Sequence, residues 1–213
     1  MIRFLVLVVV VVAVVAVAAE LVVPPRIEEA IQERVVEEVP EATAVAAELD
    51  SFPVVVRGLA TGEVQRLVVT LDDVSRSEVD IESVVVEIIG IEVERRALFD
   101  GEVDLERIER GTLTALLTEA DLEEALPGDV AELTLTPGRA EVSVAGQTVG
   151  SDVDVVDGQV VFALGPLPDL SVTLPGPEFF PCPLEGEVVD GALRLGCTLD
   201  RVPDYLLRRL EGG

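Results

Sequence analysis

The first feature of the chain is an apolar segment at its start. A single basic residue, Arg3, precedes an apolar run over residues 4–23 in which Glu20 is the only charge. One positive charge before such a run is typical of a secretory signal peptide, and Ala16-Val17-Ala18 offers a small-residue cleavage site. The run is also about 20 residues long, enough for an uncleaved membrane anchor with Arg3 on the inner side. A buried helix of a cytosolic protein is the third alternative.

The first two alternatives place the rest of the chain outside the cytoplasm. We therefore predict two segments: residues 1–23 as a signal peptide or membrane anchor, and residues 24–213 as a single extracytoplasmic domain. The location would be the outer face of the cytoplasmic membrane or a periplasm-like space of the cell envelope.

An amphipathic helix is predicted directly after this segment, over residues 25–39. Ile27, Ile31, Val35 and Val39 recur every four residues, and glutamates fill the opposite face. Pro40 cannot continue a helix and therefore ends it.

From residue 43 onward apolar and polar positions alternate, which predicts strands. The clearest strands lie over residues 64–71 and 79–93. A capping box at Thr118 and Asp121 opens a short helix over residues 119–126. Pro137-Gly138, Asp157-Gly158 and Asp190-Gly191 mark hairpin turns between later strands.

A proline-rich stretch over residues 165–183 predicts a long irregular crossing that contains one short strand at residues 170–174. The order of elements indicates an α+β domain dominated by one antiparallel sheet. Residues 203–210 predict a terminal helical turn.

The charge balance narrows the possible functions. There are 41 acidic against 15 basic residues, a net charge of −26, and no His. Such a chain lacks the positive footprint that nucleic acid requires, and it cannot build a Ser-His or Cys-His catalytic pair. Acidic residues could supply a glycosidase pair, but there is no Trp to stack on a sugar, so we expect no enzyme. Asp152, Asp154 and Asp157 loosely resemble a calcium loop, but their spacing favours a plain hairpin, and we expect no metal site and no cofactor.

Two cysteines, Cys182 and Cys197, lie in the last quarter of the chain. In an oxidising compartment an even count favours one disulfide, which would add roughly 3 kcal/mol in the chain-entropy model. Two free buried thiols are the alternative.

Several segments resemble one protein family. They are the opening helix over residues 26–34, the Ser51-Phe52-Pro53 element, and the passage from strand to helix at residues 111–122. In these the chain is similar to the DUF2993, or LmeA-like phospholipid-binding, family of actinobacteria. The resemblance implies a tubular lipid-binding architecture, in which a curved antiparallel β-sheet wraps around the N-terminal amphipathic helix and leaves an apolar groove. Without it, the same aliphatic residues would be expected only to fill a packed core.

The function that the resemblance implies is non-catalytic binding or shuttling of a phospholipid or other acyl-chain lipid. This would support the assembly of envelope lipids or lipoglycans. The alternative is a structural or adaptor protein that supports an envelope glycosyltransferase without binding lipid. Arg57 and Arg66 are candidate headgroup contacts, or else solvated charges on a strand face. Alternation along the helix and strands predicts the groove wall, which comprises Ile27, Ile31, Val35, Phe52, Val54, Val56, Leu67, Val69, Leu71, Leu113 and Leu116.

Overall fold

The computed structural model describes eight segments of the chain. Residues 1–22 of the apolar leader, Phe52, Val54, Val56 and the turn predicted at residues 203–210 lie outside them. The described segments are residues 23–37, 39–50, 61–76, 79–93, 105–127, 130–165, 167–177 and 179–200.

Two helices and eleven strands make up the described part. Helix α1 covers residues 23–37 and helix α2 covers Glu119–Ala125. Before α2 come β1 Ala42–Leu49, β2 Glu63–Arg76, β3 Val79–Val93 and β4 Leu105–Thr118. After it come β5 Val130–Thr136, β6 Arg139–Val144, β7 Gln147–Val156, β8 Gln159–Ala163, β9 Leu170–Thr173, β10 Glu185–Val189 and β11 Ala192–Leu199.

The strands divide between two antiparallel sheets. The first has six strands in the order β1-β2-β3-β4-β11-β10, and the second has five in the order β5-β6-β7-β8-β9. The α+β class is therefore confirmed, whereas the expected single dominant sheet is replaced by two. Both sheets are open in the described part of the chain, so the wrap of a sheet around α1 stays a prediction.

One face of the first sheet, here called the inner face, is apolar from edge to edge. Register aligns its residues in rows across the strands, for example Ala47–Val69–Val86–Leu113–Cys197. The rows on either side are equally apolar. The inner face comprises Val45, Ala47, Leu49, Leu67, Val69, Leu71, Val84, Val86, Ile88, Gly111, Leu113, Ala115, Leu195, Cys197 and Leu199.

Left-handed residues lie at two of the places where the buried parity changes along the long strands. Strict alternation would place Leu71 and Val74 on opposite sides of β2, yet both lie in the main core cluster. Asp73 stands between them with φ +50°. In β3, Gly90 has φ +67°, and Ile88 and Ile91 on either side of it share one cluster. At each of these two positions the core-facing side chains switch between odd-numbered and even-numbered residues, so the two-residue period of the strand is interrupted there.

The second sheet packs over one end of the inner face. Its buried side chains, including Leu133, Val142 and Phe162, form one core cluster with Val74, Ile81 and other residues of the first sheet. Gly186 of β10 allows this approach, because a Cβ there would lie 2.8 Å from Val155 Cγ2 of β7.

The turns of one sheet bond to the other sheet. The Gly138 amide, in the β5–β6 turn, donates to the Val188 carbonyl of β10 at 2.9 Å. The Gly191 amide, in the β10–β11 turn, donates to the Leu135 carbonyl of β5, also at 2.9 Å. Each predicted hairpin turn at Pro137-Gly138 and Asp190-Gly191 is confirmed, and each also joins the two layers.

Helix α2 covers the free edge of β5. The predicted capping box is confirmed, with the Asp121 amide donating to Thr118 Oγ1 at 3.2 Å and the Thr118 amide donating to Asp121 Oδ2 at 2.8 Å. Glu119 and Glu123, one turn apart, accept from the amides of Leu135 and Leu133. These amides belong to the outermost strand of the second sheet, so the carboxylates close an edge that could otherwise pair with another strand.

Helix α1 lies along the free edge of β1 in a similar way. The Asp50 amide donates to the Arg66 carbonyl of β2, so the preceding amide, of Leu49, points away from the sheet. Glu28 Oε1 of α1 accepts from this Leu49 amide at 2.9 Å. At the other end of the helix, Val35 and Val39 pack against the main core.

The left-handed position in β3 gives the first prediction. We expect Gly90→Ala to lower the free energy of unfolding by about 1–2 kcal/mol, because an L side chain is strained at this φ. Gly196→Ala is the control, since a Cβ there meets no described atom within 4 Å and its φ is ordinary. Urea unfolding measures both variants. Equal stability of Gly90→Ala and the wild type would contradict the role given to this glycine.

Candidate functional site

The inner face is fully buried at one end and half-exposed at the other. At the buried end Val74, Ile81 and Val84 are no more than 1% exposed, beneath the second sheet. Towards the other end Val64, Leu67 and Ile88 are only half-buried, and they form a second cluster with Ile91 and Ile108. Among the described residues, that second cluster contains side chains of the first sheet alone. The apolar face thus continues beyond the layer that covers it.

A glycine lies where the two clusters meet. Gly111 of β4 lies in the row Leu67–Ile88–Gly111–Leu199, next to the row that holds Leu113. A Cβ at Gly111 would meet only Leu199 among the described residues, at 3.8 Å, which is ordinary van der Waals contact. Because Gly111 has no side chain, the surface of the inner face is indented at this row.

Helix α1 lies beside the half-exposed part. The Glu28 contact with Leu49 fixes the N-terminal half of the helix beside the row that contains Leu67. Ile27 and Ile31 in this half are half-buried, while Val35, further along, packs against the main core. We call the region of Val64, Leu67, Ile88 and Gly111, together with Ile27 and Ile31, the apolar trough.

The structure brings together most of the predicted wall residues that it describes. Leu67, Val69, Leu71 and Leu113 share the inner face, where Leu71 and Leu113 belong to the main core and Leu67 to the second cluster. Leu116 pairs with Ser83 and Arg194 and lies on the opposite face of β4 from Leu113. Phe52, Val54 and Val56 lie outside the described residues.

Alternation could not identify other residues of this region. Ile91 lies three residues from Ile88, beyond Gly90, and Ile108 lies three residues from Gly111, so neither fits a two-residue period. Gly111 has no side chain to register in such a period. The signal present in the sequence is the pair of isoleucines at Ile88 and Ile91, whose odd spacing around a glycine is typical of a strand irregularity.

A disulfide joins the irregular crossing at residues 165–183 to strand β11 of the inner face. Cys197 of β11 lies on that face beside Leu113, and it is bonded to Cys182 of the crossing segment. In the same segment Leu174 and Phe180 are each 5% exposed and belong to the main core. The disulfide interpretation is thus confirmed, and the bond anchors a segment that has little regular structure of its own.

Arg66 is positioned by carboxylates of the outer face. Its Nε donates to Glu87 Oε1 at 2.6 Å, and its Nη1 lies 3.4 Å from Asp50 Oδ2. The hydrogen bond from Arg66 to Glu87 raises the pKa of Arg66, and the Asp50 carboxylate adds to this. Its neighbour Leu67 points to the trough on the opposite side. Arg57, the other candidate headgroup contact, lies outside the described residues.

The described part of the chain contains no group of three or more His, Cys, Asp or Glu residues able to hold a metal ion. Asp157 and Gly158 form the β7–β8 turn with φ +50° and +75°, which confirms the hairpin. No helix there is both long and apolar enough to cross a membrane.

Comparison with known proteins adds the family. Residues 14–201 match the family described as LmeA-like phospholipid-binding. The chain belongs to this family. The match covers every described element, so the predicted resemblance is confirmed. No match was found to a curated protein or to a solved structure.

The disulfide gives the second prediction. A reducing agent should lower the urea midpoint of the wild-type protein, with a loss of roughly 3 kcal/mol, because the bond closes a loop of 15 residues. The control is the double variant Cys182→Ala/Cys197→Ala, whose midpoint should be low already and should not respond to the reducing agent. A wild-type midpoint that is indifferent to reduction would show that the bond does not stabilise the fold.

Proposed function

We propose that this protein binds a phospholipid through its acyl chains, which lie in the apolar trough of the first sheet. The observation that carries the proposal is the continuation of an aliphatic face beyond the second sheet, in a member of a phospholipid-binding family. Aliphatic side chains such as Leu67 and Ile88 offer an acyl chain contacts without polar groups.

The driving force is the removal of acyl chains from water. Each buried methylene contributes about 0.8 kcal/mol, so a trough that holds even part of a chain supplies several kcal/mol. Along β2 the trough extends from Leu67 to Val64, about 10 Å at about 3.3 Å per residue. This is long enough for part of an acyl chain to lie parallel to the strands.

Helix α1 would form the second wall of the trough. Ile27 and Ile31 are half-buried beside the open end, and Val35 secures the helix to the core. The tubular arrangement, with a curved sheet wrapped around α1, is part of this proposal. Phe52, Val54 and Val56 complete the proposed wall from the segment before β2.

The wider role in the proposal is that of a non-catalytic envelope protein that carries or shuttles lipid for envelope lipid or lipoglycan assembly. The leader, as signal peptide or anchor, would place residues 24–213 outside the cytoplasmic membrane, and the disulfide is compatible with such an oxidising location. An adaptor for an envelope glycosyltransferase is not favoured, because the family is described by lipid binding.

Filling the gap at Gly111 tests the trough directly. We expect Gly111→Leu to reduce the uptake of phosphatidylcholine from vesicles at least about tenfold, because the new side chain would displace several methylenes of the ligand. Bound lipid is extracted from the re-isolated protein and quantified by mass spectrometry.

Gly196→Leu is the matched control. Gly196 occupies β11 on the outer face, opposite Thr114, and a Cβ there meets open space. This variant should load lipid like the wild type. A folded Gly111→Leu variant that takes up as much lipid as Gly196→Leu would refute the trough as the binding site.

A further inference from the structure

The direction of α1 determines where the apolar leader joins the folded domain. Just past the helix, the Val39 carbonyl accepts from the Ala42 amide at the start of β1. Near the other end of the helix, Glu28 accepts from the Leu49 amide at the end of β1. The helix and β1 therefore run antiparallel. The first residue of α1, Val23, lies about 8 Å beyond Glu28 along the helix axis, at about 1.5 Å per residue.

The start of α1 lies at the end of the first sheet that holds the trough. Ala42 pairs with Val74, a residue of the main core beneath the second sheet, whereas Leu49 pairs with Leu67 of the trough. These two pairs are about 23 Å apart along β1, at about 3.3 Å per residue. The leader therefore joins the domain on the trough side, away from the core that the second sheet covers.

The leader has the length of a membrane anchor and continues directly into α1. Its apolar run reaches the first residue of the helix, so the sequence places no polar linker between the two. As a helix, residues 4–22 would be about 28 Å long, close to the roughly 30 Å of the hydrocarbon core of a bilayer. An anchor of this kind would hold the start of α1 at the membrane surface.

The charge of the chain gives an anchor a clear purpose. A net charge of −26 is repelled by the anionic surface of a bilayer, so electrostatic attraction cannot bring the trough to its lipid. Near the start of α1 the exposed charges include Glu29 and Glu33 as well as Arg26, so the helix offers no basic surface either. A covalent tether keeps the local concentration of membrane lipid high despite this repulsion.

From this arrangement we infer that residues 4–22 stay attached as a membrane anchor and that the trough end of the first sheet faces the bilayer. Acyl chains then pass from the anchoring membrane into the trough without crossing bulk water, where each exposed methylene is unfavourable. The loading route rests on the proposed function, whereas the anchor and the orientation do not.

Energy transfer to the membrane surface tests the orientation. The full-length protein is reconstituted in phosphatidylcholine vesicles that carry an acceptor dye on some headgroups, and a donor dye is attached to Glu63→Cys or to Ser75→Cys. Both positions are exposed in β2, and the bond between Cys182 and Cys197 leaves only the new thiol to react. We expect transfer from position 63 to be at least about twofold larger, because the two positions lie about 40 Å apart along the strand.

Two results would overturn the anchor or the orientation. Equal transfer from the two positions, or larger transfer from position 75, would show that the trough end does not face the bilayer. The intact mass of the protein isolated from the cells that produce it should include residues 1–22, and a chain that lacks them would exclude the anchor.

Photo-cross-linking tests the loading route. Phosphatidylcholine with a diazirine on one acyl chain is placed either in the vesicles that hold the full-length protein or in added protein-free vesicles, and cross-links on peptides of β2, β3 and β4 are quantified by mass spectrometry. We expect at least about tenfold more of these cross-links from the anchoring membrane, because the tether raises its effective concentration. Gly111→Leu should reduce them and leave cross-links on residues 4–22 unchanged.

The outcomes separate the route from the binding itself. Equal cross-linking of the trough strands from both kinds of vesicle would overturn direct loading and leave lipid binding intact. Cross-links on residues 4–22 with none on the trough strands from either source would instead refute the proposed function.

Discussion

Burial of the inner face constrains the first sheet more than any other feature. A regular strand turns every second side chain away from the core, and β2 and β3 are longer than most strands, with 14 and 15 residues. Small irregularities of twist would turn an apolar row towards water. Asp73 and Gly90 supply left-handed conformations at two of the places where the buried parity changes, and apolar residues continue beyond both. The main core, the trough and the attachment of α1 all depend on this continuity.

The same chain is strongly acidic, and its carboxylates have a structural use at the sheet edges. Glu28 accepts a hydrogen bond from an outward-pointing amide of β1. Glu119 and Glu123 accept hydrogen bonds from two such amides of β5. Charge-assisted hydrogen bonds of this kind satisfy backbone donors that water or another strand would otherwise bind. The acidic residues therefore protect open edges while they also set the electrostatic character of the surface around the trough.

Local chemistry in the sequence predicted the elements that depend on neighbouring residues. The capping box at Thr118, the hairpin turns at Asp157-Gly158 and Asp190-Gly191, and the short strand inside the proline-rich crossing are of this type, and each is confirmed. The Ala145-Gly146 turn between β6 and β7 was missed, because alanine is not a usual residue at φ +50°. Short sequence patterns could not predict the division into two sheets, because this division depends on pairing between β4 and β11, which are distant in sequence.

The site shows the same limit. Leu67, Val69 and Leu71 lie on one face, as alternation predicts for a regular part of β2. The prediction placed Leu113 and Leu116 in the same wall, but they are three residues apart in one strand and lie on opposite faces. Ile91 lies beyond the irregularity at Gly90, and Ile108 lies opposite Ile91 in β4, so neither follows the simple alternation. Gly111 contributes through the side chain that it lacks.

The central claim is that the trough holds a phospholipid, and native mass spectrometry of the full-length protein isolated from the cells that produce it tests this claim most directly. The account predicts a mass increase of one phospholipid per chain, lost on organic extraction and restored by incubation with phospholipid vesicles. A bare polypeptide mass that vesicles leave unchanged would contradict it.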